Sequence, residues 1–199
     1  MVITKITEKV LALFVSNPTK TYTIREVSLH TKINYRQIYQ EVMCLKEQEV
    51  LTIEKKGSSN VCSINLSKHA SLYAYIESIR AGYFLKAHAP FRVILQELKS
   101  LPTQYYSLIL FGSWAKGTVH KNSDIDLLFI IPTESMVESF EREIHARLRQ
   151  LQYHFDINVI TEESFKEMGG MRTLNLRAEV IQNHLVLKGA EEYYHLLTI

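Results

Sequence analysis

The chain has 199 residues, 46% of them hydrophobic and 22% charged, with 23 Lys and Arg against 21 Asp and Glu. That length allows one large domain or two small ones, and the apolar share excludes a disordered or low-complexity protein. A net charge of +2 is too small by itself to mark a nucleic-acid binder or an acidic tail, although opposite halves can cancel.

Cys44 and Cys62 form neither a disulfide framework nor a metal spacing, as expected of a chain kept in a reducing cytoplasm. The opening MVITKITEKVLALFVSNP has only a short apolar run, broken at Asn17-Pro18. No stretch approaches the ~20 apolar residues of a membrane span. The expectation is a soluble, cytoplasmic protein without a membrane partner.

Val10, Leu11, Leu13, Phe14 and Val15 suit a helix from Ile6 to about Ser16, stopped by Asn17-Pro18. Thr23 is placed to cap a second helix, with Glu26 three residues on completing a capping box. Its apolar positions are Ile24, Val27 and Leu29, and it should end near His30-Thr31. A third helix is expected from about Tyr35 to Gln48, with Ile38, Val42 and Leu45 as its buried stripe. Two β-prone runs, Val50 to Glu54 and Val61 to Leu66, flank the turn-rich Lys56-Gly57-Ser58-Ser59-Asn60 and predict a hairpin.

Three helices and then a hairpin resemble a winged helix-turn-helix domain over residues 1–66. The charge agrees: nine Lys and Arg stand against six Glu up to Leu66, so the total of +2 divides into +3 here and −1 in the remainder. The resemblance implies binding to double-stranded DNA. The outward face of the third helix offers Asn34, Tyr35, Arg36, Gln37, Tyr39 and Gln40, residue types that read base edges or touch phosphates. Lys55 and Lys56 stand at the wing, where a DNA-backbone contact is expected. The same layout also serves dimerisation or protein contact with a merely solvated polar face, and a homodimer is compatible with it.

Residues 67–90 read as a helical linker, with Leu72, Ile76, Ile79 and Phe84 along one side and Tyr73, Tyr75 and Tyr83 as packing residues. Pro90 fits the start of a further helix bearing Phe91, Val93, Ile94, Leu95 and Leu98, ended by Leu101-Pro102.

The run Tyr105 to Phe111 suits a buried strand and leads into Gly112-Ser113-Trp114-Ala115-Lys116-Gly117. After a polar stretch to Ser123, Asp124-Ile125-Asp126-Leu127-Leu128-Phe129-Ile130-Ile131 reads as a second strand with two acids at its start. Strand side chains alternate faces, so Asp124 and Asp126 point the same way, their Cα atoms roughly 6.6 Å apart at ~3.3 Å per residue. Carboxylates so spaced can hold one metal ion or a pair ~3.5–4 Å apart, and without a cation they repel. Glycine at the preceding turn permits close backbone approach to a phosphate, which strand-to-helix N–H groups can cradle. Tyr153 to Ile160 reads as a third strand, with Asp156 on the face opposite Phe155 and Ile157. If it neighbours the second, Asp156 joins the two acids.

The order Gly112-Ser113, a spacer, Asp124-Ile125-Asp126-Leu127 and a later strand aspartate resembles the polymerase-beta-type nucleotidyltransferase superfamily. More narrowly, it is similar to the small prokaryotic minimal nucleotidyltransferases. The resemblance covers about residues 91–190, including Glu179 to Gly189 as the closing helix and strand. It implies an α+β fold in which the winged helix-turn-helix is joined by helices to a nucleotidyltransferase domain, 91–199, with a mixed β-sheet flanked by helices. It further implies that Gly112 and Ser113 hold the phosphates of ATP or another NTP, with Lys116 and Ser123 at the nucleotide. Asp124, Asp126 and Asp156 would bind two Mg²⁺ ions, with Asp156 also a candidate to activate the attacking hydroxyl. Lys116 departs from the Arg common in close relatives, which keeps the charge and loses bidentate phosphate binding. The implied activity is transfer of AMP to an acceptor hydroxyl on a protein, RNA or small molecule, as in antitoxins that modify a partner toxin. The alternative is a transcriptional regulator whose nucleotidyltransferase fold senses nucleotide or binds a partner without catalysis. Trp114 is open to base stacking or to packing, while His120, His145 and His154 read as surface or structural residues. The acid-rich stretch from Glu138 to Glu143 reads as a solvated helix face.

Overall fold

Helix α1 (Lys5–Val15) starts where the Thr4 and Thr7 side chains exchange hydrogen bonds with each other's backbone N–H. The computed structural model describes residues 2–57, 59–101, 103–121, 123–171 and 175–198. Strand β1 (Tyr22–Thr23) has only two residues, too few to leave a periodic signal in the sequence. Thr23 also caps α2 (Ile24–Thr31) in a capping box with Glu26, whose carboxyl the two Thr23 bonds hold below its ordinary value. Helix α3 (Tyr35–Glu47) buries Ile38, Val42 and Leu45, the stripe read from their spacing. Strands β2 (Leu51–Lys56) and β3 (Ser59–Ile64) form the expected hairpin, with Ser58 of its turn outside the described residues. The order β1-β3-β2 completes a small antiparallel sheet.

Helix α4 (Ala70–Ala87) departs from its expected face. Its buried residues are Ala70, Tyr73, Ile76, Glu77 and Ala81, while Leu72, Ile79 and Phe84 are half-buried and Tyr75 and Tyr83 exposed. The reason is its surroundings: α1, α10 and strand β7 all pack on this helix, so burial does not follow one stripe. Pro90 opens α5 (Pro90–Leu98), which buries Phe91, Ile94 and Leu98 and leaves Val93 exposed. Pro102, the expected stop, lies outside the described residues.

A mixed four-stranded sheet follows, built from β4 (Ser107–Leu110), β5 (Ile125–Ile131), β6 (Phe155–Thr161) and β7 (Leu185–Lys188) in the order β6-β5-β4-β7. β4 pairs antiparallel with both β5 and β7, and β6 lies parallel to β5. The parallel pair needs a crossover, supplied by α7 (Val137–Leu148). Helix α6 (Gly112–Lys116) leaves the end of β4, α8 (Glu162–Glu167) follows β6, α9 (Leu176–Gln182) precedes β7, and α10 (Ala190–Leu197) closes the chain.

Alternation along β5 divides the apolar residues between two layers. Leu127, Phe129 and Ile131 pack with Leu108, Leu110, α5 and α7. Leu128 and Ile130 join a cluster that runs through Ile76 of α4 and Tyr194 of α10 to Val10 and Phe14 of α1. The N-terminal helices and the second sheet thus share one buried cluster. Among the described residues, no helix is long and apolar enough to cross a membrane.

Phe129 is fully buried, with ring centroids of Tyr106 and Phe140 both 5.7 Å away. Phe129→Ala should lower the unfolding free energy by about 3–5 kcal/mol in chemical denaturation, because the site cannot collapse around the lost ring. A loss below about 1 kcal/mol would mean that the layer under α5 and α7 repacks freely.

Candidate active site

The strand register decides which acids meet. Asp126, the second residue of β5, stands directly opposite Asp156 of β6. Adjacent strands lie ~4.8 Å apart, so two carboxylates at one register position on the same face crowd each other. Asp124 precedes β5 by one residue and is exposed, as is Asp156, while Asp126 is half-buried. Asn158 donates from Nδ2 to Asp156 Oδ1 at 3.4 Å.

Gly112 approaches this pair from the end of β4. Its φ of +63° is in the left-handed region, and a Cβ there would lie 2.6 Å from Asp126 Cγ and run into the carboxylate oxygen. Glycine is therefore required twice, by the backbone turn and by the carboxylate packed on it. The Ser113 backbone N–H is hydrogen-bonded to Asp126, and Phe111 N–H donates to the Asp126 carbonyl at 3.1 Å. Burial and the charge of Asp156 push the Asp126 carboxyl above its ordinary value, opposed by the Ser113 bond and reinforced by Asp124 and Glu179.

Glu179, an exposed residue of α9, is the acid that the site reading from sequence missed. A single Glu on a short helix carries no motif, and only the packing of α9 brings its charge to Asp126. Ser123 makes a reciprocal turn with His120, accepting the His120 N–H at Oγ (2.8 Å) and donating its own N–H to the His120 carbonyl (3.0 Å). Lys116 is exposed at the last residue of α6. Trp114 packs edge-on against Phe91 and His88, with centroids 5.0 and 5.6 Å apart, and its Nε1 is buried without a partner among the described residues. That packing places the indole in the layer under α5 rather than open for base stacking. His145 lies 3.9 Å from Glu141 on the solvated side of α7, and His120 and His154 are exposed.

The second group of predicted residues lies on the N-terminal helices. Tyr35, Arg36, Gln37, Tyr39 and Gln40 are all exposed on α3, as are Lys55 and Lys56 beside the hairpin turn. Asn34 is engaged otherwise than expected: its Oδ1 caps α3 by accepting the Gln37 N–H at 3.0 Å, and its Nδ2 meets Gln37 Oε1. Both side chains are therefore tied to the helix start, whereas Tyr35 and Tyr39 project with ring centroids 6.2 Å apart.

The carboxylates suit a hard cation. Among the described residues, no group of three or more His, Cys, Asp or Glu already closes on one point. Mg²⁺ does not require such a cage, since it keeps several waters and takes one or two carboxylates together with substrate phosphates. The donor set of Asp124, Asp126 and Asp156 fits that habit, and the like-charge strain on Asp126 is what a cation would relieve.

Residues 91–188 match the family model of the nucleotidyltransferase domain. Among solved structures, a crystal structure of a toxin-antitoxin with AMP-PNP is similar to the chain at 18% identity, covering 54% of this chain and 79% of that one, with a TM-score of 0.36. No curated protein matches the chain. The second half of the molecule is thus a match to the nucleotidyltransferase domain, carried on a mixed sheet with its acids at one end.

Removing the strained charge should stabilise the metal-free protein. Because the folded-state value of Asp126 is raised, folding is penalised once pH exceeds the ordinary carboxylate range. Asp126→Asn should therefore raise Tm at neutral pH, with the gain fading below about pH 4, where the acid is protonated folded and unfolded alike. The same variant should lose the thermal shift that Mg²⁺ produces in wild type, and an unchanged Mg²⁺ shift would exclude Asp126 as a ligand.

Proposed function

We propose that the protein is a Mg²⁺-dependent nucleotidyltransferase that moves a nucleoside monophosphate, AMP from ATP, to an acceptor hydroxyl. In this reading a winged helix-turn-helix formed by α1–α3 and the β2–β3 hairpin binds double-stranded DNA. The observation that carries the catalytic reading is the junction of Gly112, Asp126 and Asp156, where a positive-φ glycine turn and two opposed carboxylates share one sheet end.

The triphosphate lies along the Gly112-Ser113 turn, where the glycine lets the backbone pack directly on the Asp126 carboxylate. Lys116 offers a mobile positive charge near the phosphates, and Asp124, Asp126 and Asp156 hold the metal ions. Mg²⁺ held by these carboxylates would supply neutralisation of the charge that develops on the phosphoryl oxygens and on the departing pyrophosphate. Asp156, exposed at the mouth of the site, accepts the proton of the acceptor hydroxyl. The acceptor oxygen then bonds to the α-phosphorus as the bond to the β-phosphate bridge breaks, and pyrophosphate leaves in line.

Incubation with α-labelled ATP, Mg²⁺ and cell extract should label an acceptor. Asp124→Ala with Asp126→Ala should reduce labelling about a hundredfold or more, since several kcal/mol of charge stabilisation disappears at about 1.4 kcal/mol per tenfold. Persistent labelling by the double variant would sink the metal assignment. ATP binding without pyrophosphate release would favour a nucleotide-sensing regulator.

DNA binding draws support from the exposed face of α3, the flanking wing lysines and the surplus of basic residues up to Leu66. Affinity for duplex DNA should fall steeply with salt, and Arg36→Ala should weaken it by about 1–3 kcal/mol. If neither salt nor that substitution changes affinity, α3 is not the reading helix.

A further inference from the structure

A second polar cluster lies away from the acids, around the fully buried Glu77 of α4. Glu77 Oε1 takes Arg80 Nη1 at 2.6 Å and the Tyr194 hydroxyl at 3.1 Å, and Oε2 takes the Val186 N–H at 3.4 Å. His184 Nε2 stands 3.4 Å from Oε1, outside hydrogen-bond geometry. Arg80 Nη2 donates to the His184 carbonyl at 2.9 Å. The Tyr194 hydroxyl also lies 3.2 Å from the carbonyl of Val15, the last residue of α1, so one proton serves two acceptors. One turn earlier on α4, the buried Tyr73 hydroxyl reaches the carbonyls of Val50 (3.1 Å) and Asn65 (2.7 Å), which flank the hairpin. The Tyr73 and Tyr194 rings are 5.4 Å apart.

The cluster therefore grips both halves of the molecule. On one side are the end of α1 and the base of the hairpin. On the other is the segment from His184 to Val186, which follows α9, the helix carrying Glu179, and opens β7, whose Val186 pairs with Ile109 three residues before Gly112. Apolar packing would seal such a junction at a lower desolvation cost than a buried carboxylate, so the charge calls for a role beyond cohesion.

We propose that Glu77 is a positioning residue that couples the N-terminal helices and hairpin to the nucleotide site, with the Tyr194 hydroxyl as the shared contact between them. A shift of α1 redistributes the Tyr194 proton between Val15 and Glu77, a shift of the hairpin base reaches Tyr194 through the Tyr73 ring packed on it, and the carboxylate's other partners carry the change into β7, β4 and α9. Nucleotide and DNA would then alter each other's affinity reciprocally. The ligands named rest on the reading above; the mechanical link does not.

The test is amide hydrogen exchange on the full chain, with Tyr194→Phe, which removes one hydroxyl and keeps the ring, and Glu77→Gln, which keeps the shape. In wild type, AMP-PNP with Mg²⁺ should slow exchange at Ser113 and also, by about fivefold or more, at Val50 and Asn65. Tyr194→Phe should abolish the remote effect and leave protection at Ser113. Glu77→Gln should do the same, and the double variant should add nothing further, as expected of residues acting as one unit. Protection at Ser113 without a remote effect in wild type overturns the coupling, as does a remote effect that survives both variants. If Ser113 itself is not protected, the nucleotide reading fails and the ligand-free proteins decide the link. Tyr194→Phe should then still speed exchange at Leu110 and Phe111 by about fivefold, and a change confined to Ser16 and Asn17 overturns it.

Discussion

Gly112 touches Asp126 so closely that no side chain fits between them, and that contact sets the geometry of the candidate site. Strand β4 must end at that point, turn through a positive φ and start a short helix while its last residues stay paired with β5. The turn presses backbone against a carboxylate, and the Ser113 N–H is drawn into a bond with it. Asp156 then arrives from the other side through the parallel β5–β6 register. Close packing supplies the position, and uncompensated negative charge supplies the chemistry.

The two layers around the sheet make that arrangement hold. Every residue of β5 after Asp126 is buried, so the strand cannot slip by one place without moving Leu127 and Phe129 into the wrong layer. Register is therefore held by apolar burial along the strand, and the charged end inherits its position from it. The strain that burial and Asp156 place on Asp126 is held against this apolar anchorage. On the opposite layer, α4 lies among α1, α10 and β7, and its buried Glu77 carboxylate accepts from Tyr194 of α10 and Val186 of β7, while the same Tyr194 hydroxyl reaches Val15 of α1.

Legibility in the sequence followed the range of the interaction. The capping box of Thr23 and Glu26, the stripe of α3, the hairpin and the apolar run of β5 arise from residues within a few positions of each other, and all are present, with the hairpin strands extending further into the expected turn, to Lys56 and from Ser59. Where neighbours came from distant parts of the chain, pattern failed. The face of α4 was misjudged because three elements bury it, and β1 was missed because two residues carry no period. Glu77 and His184 were invisible for a related reason: a polar residue on a helix or in a turn reads as exposed until several elements enclose it. Asn34 stands among the expected base contacts, and its side chain also caps α3 by accepting a local backbone N–H.

By itself, the sequence determined that Asp124 and Asp126 share a side of their strand, that a glycine turn precedes them and that a third strand aspartate follows, because two-residue alternation is a property of the chain alone. Only the tertiary structure decided that β6 lies beside β5 with Asp156 opposite Asp126, and that Gly112 rests on the Asp126 carboxylate. It also decided that Glu77 is enclosed between the N-terminal helices and the sheet. Spacing along a strand chooses a face, whereas the neighbour across that face is chosen by how two apolar layers pack, which no local run of residues encodes.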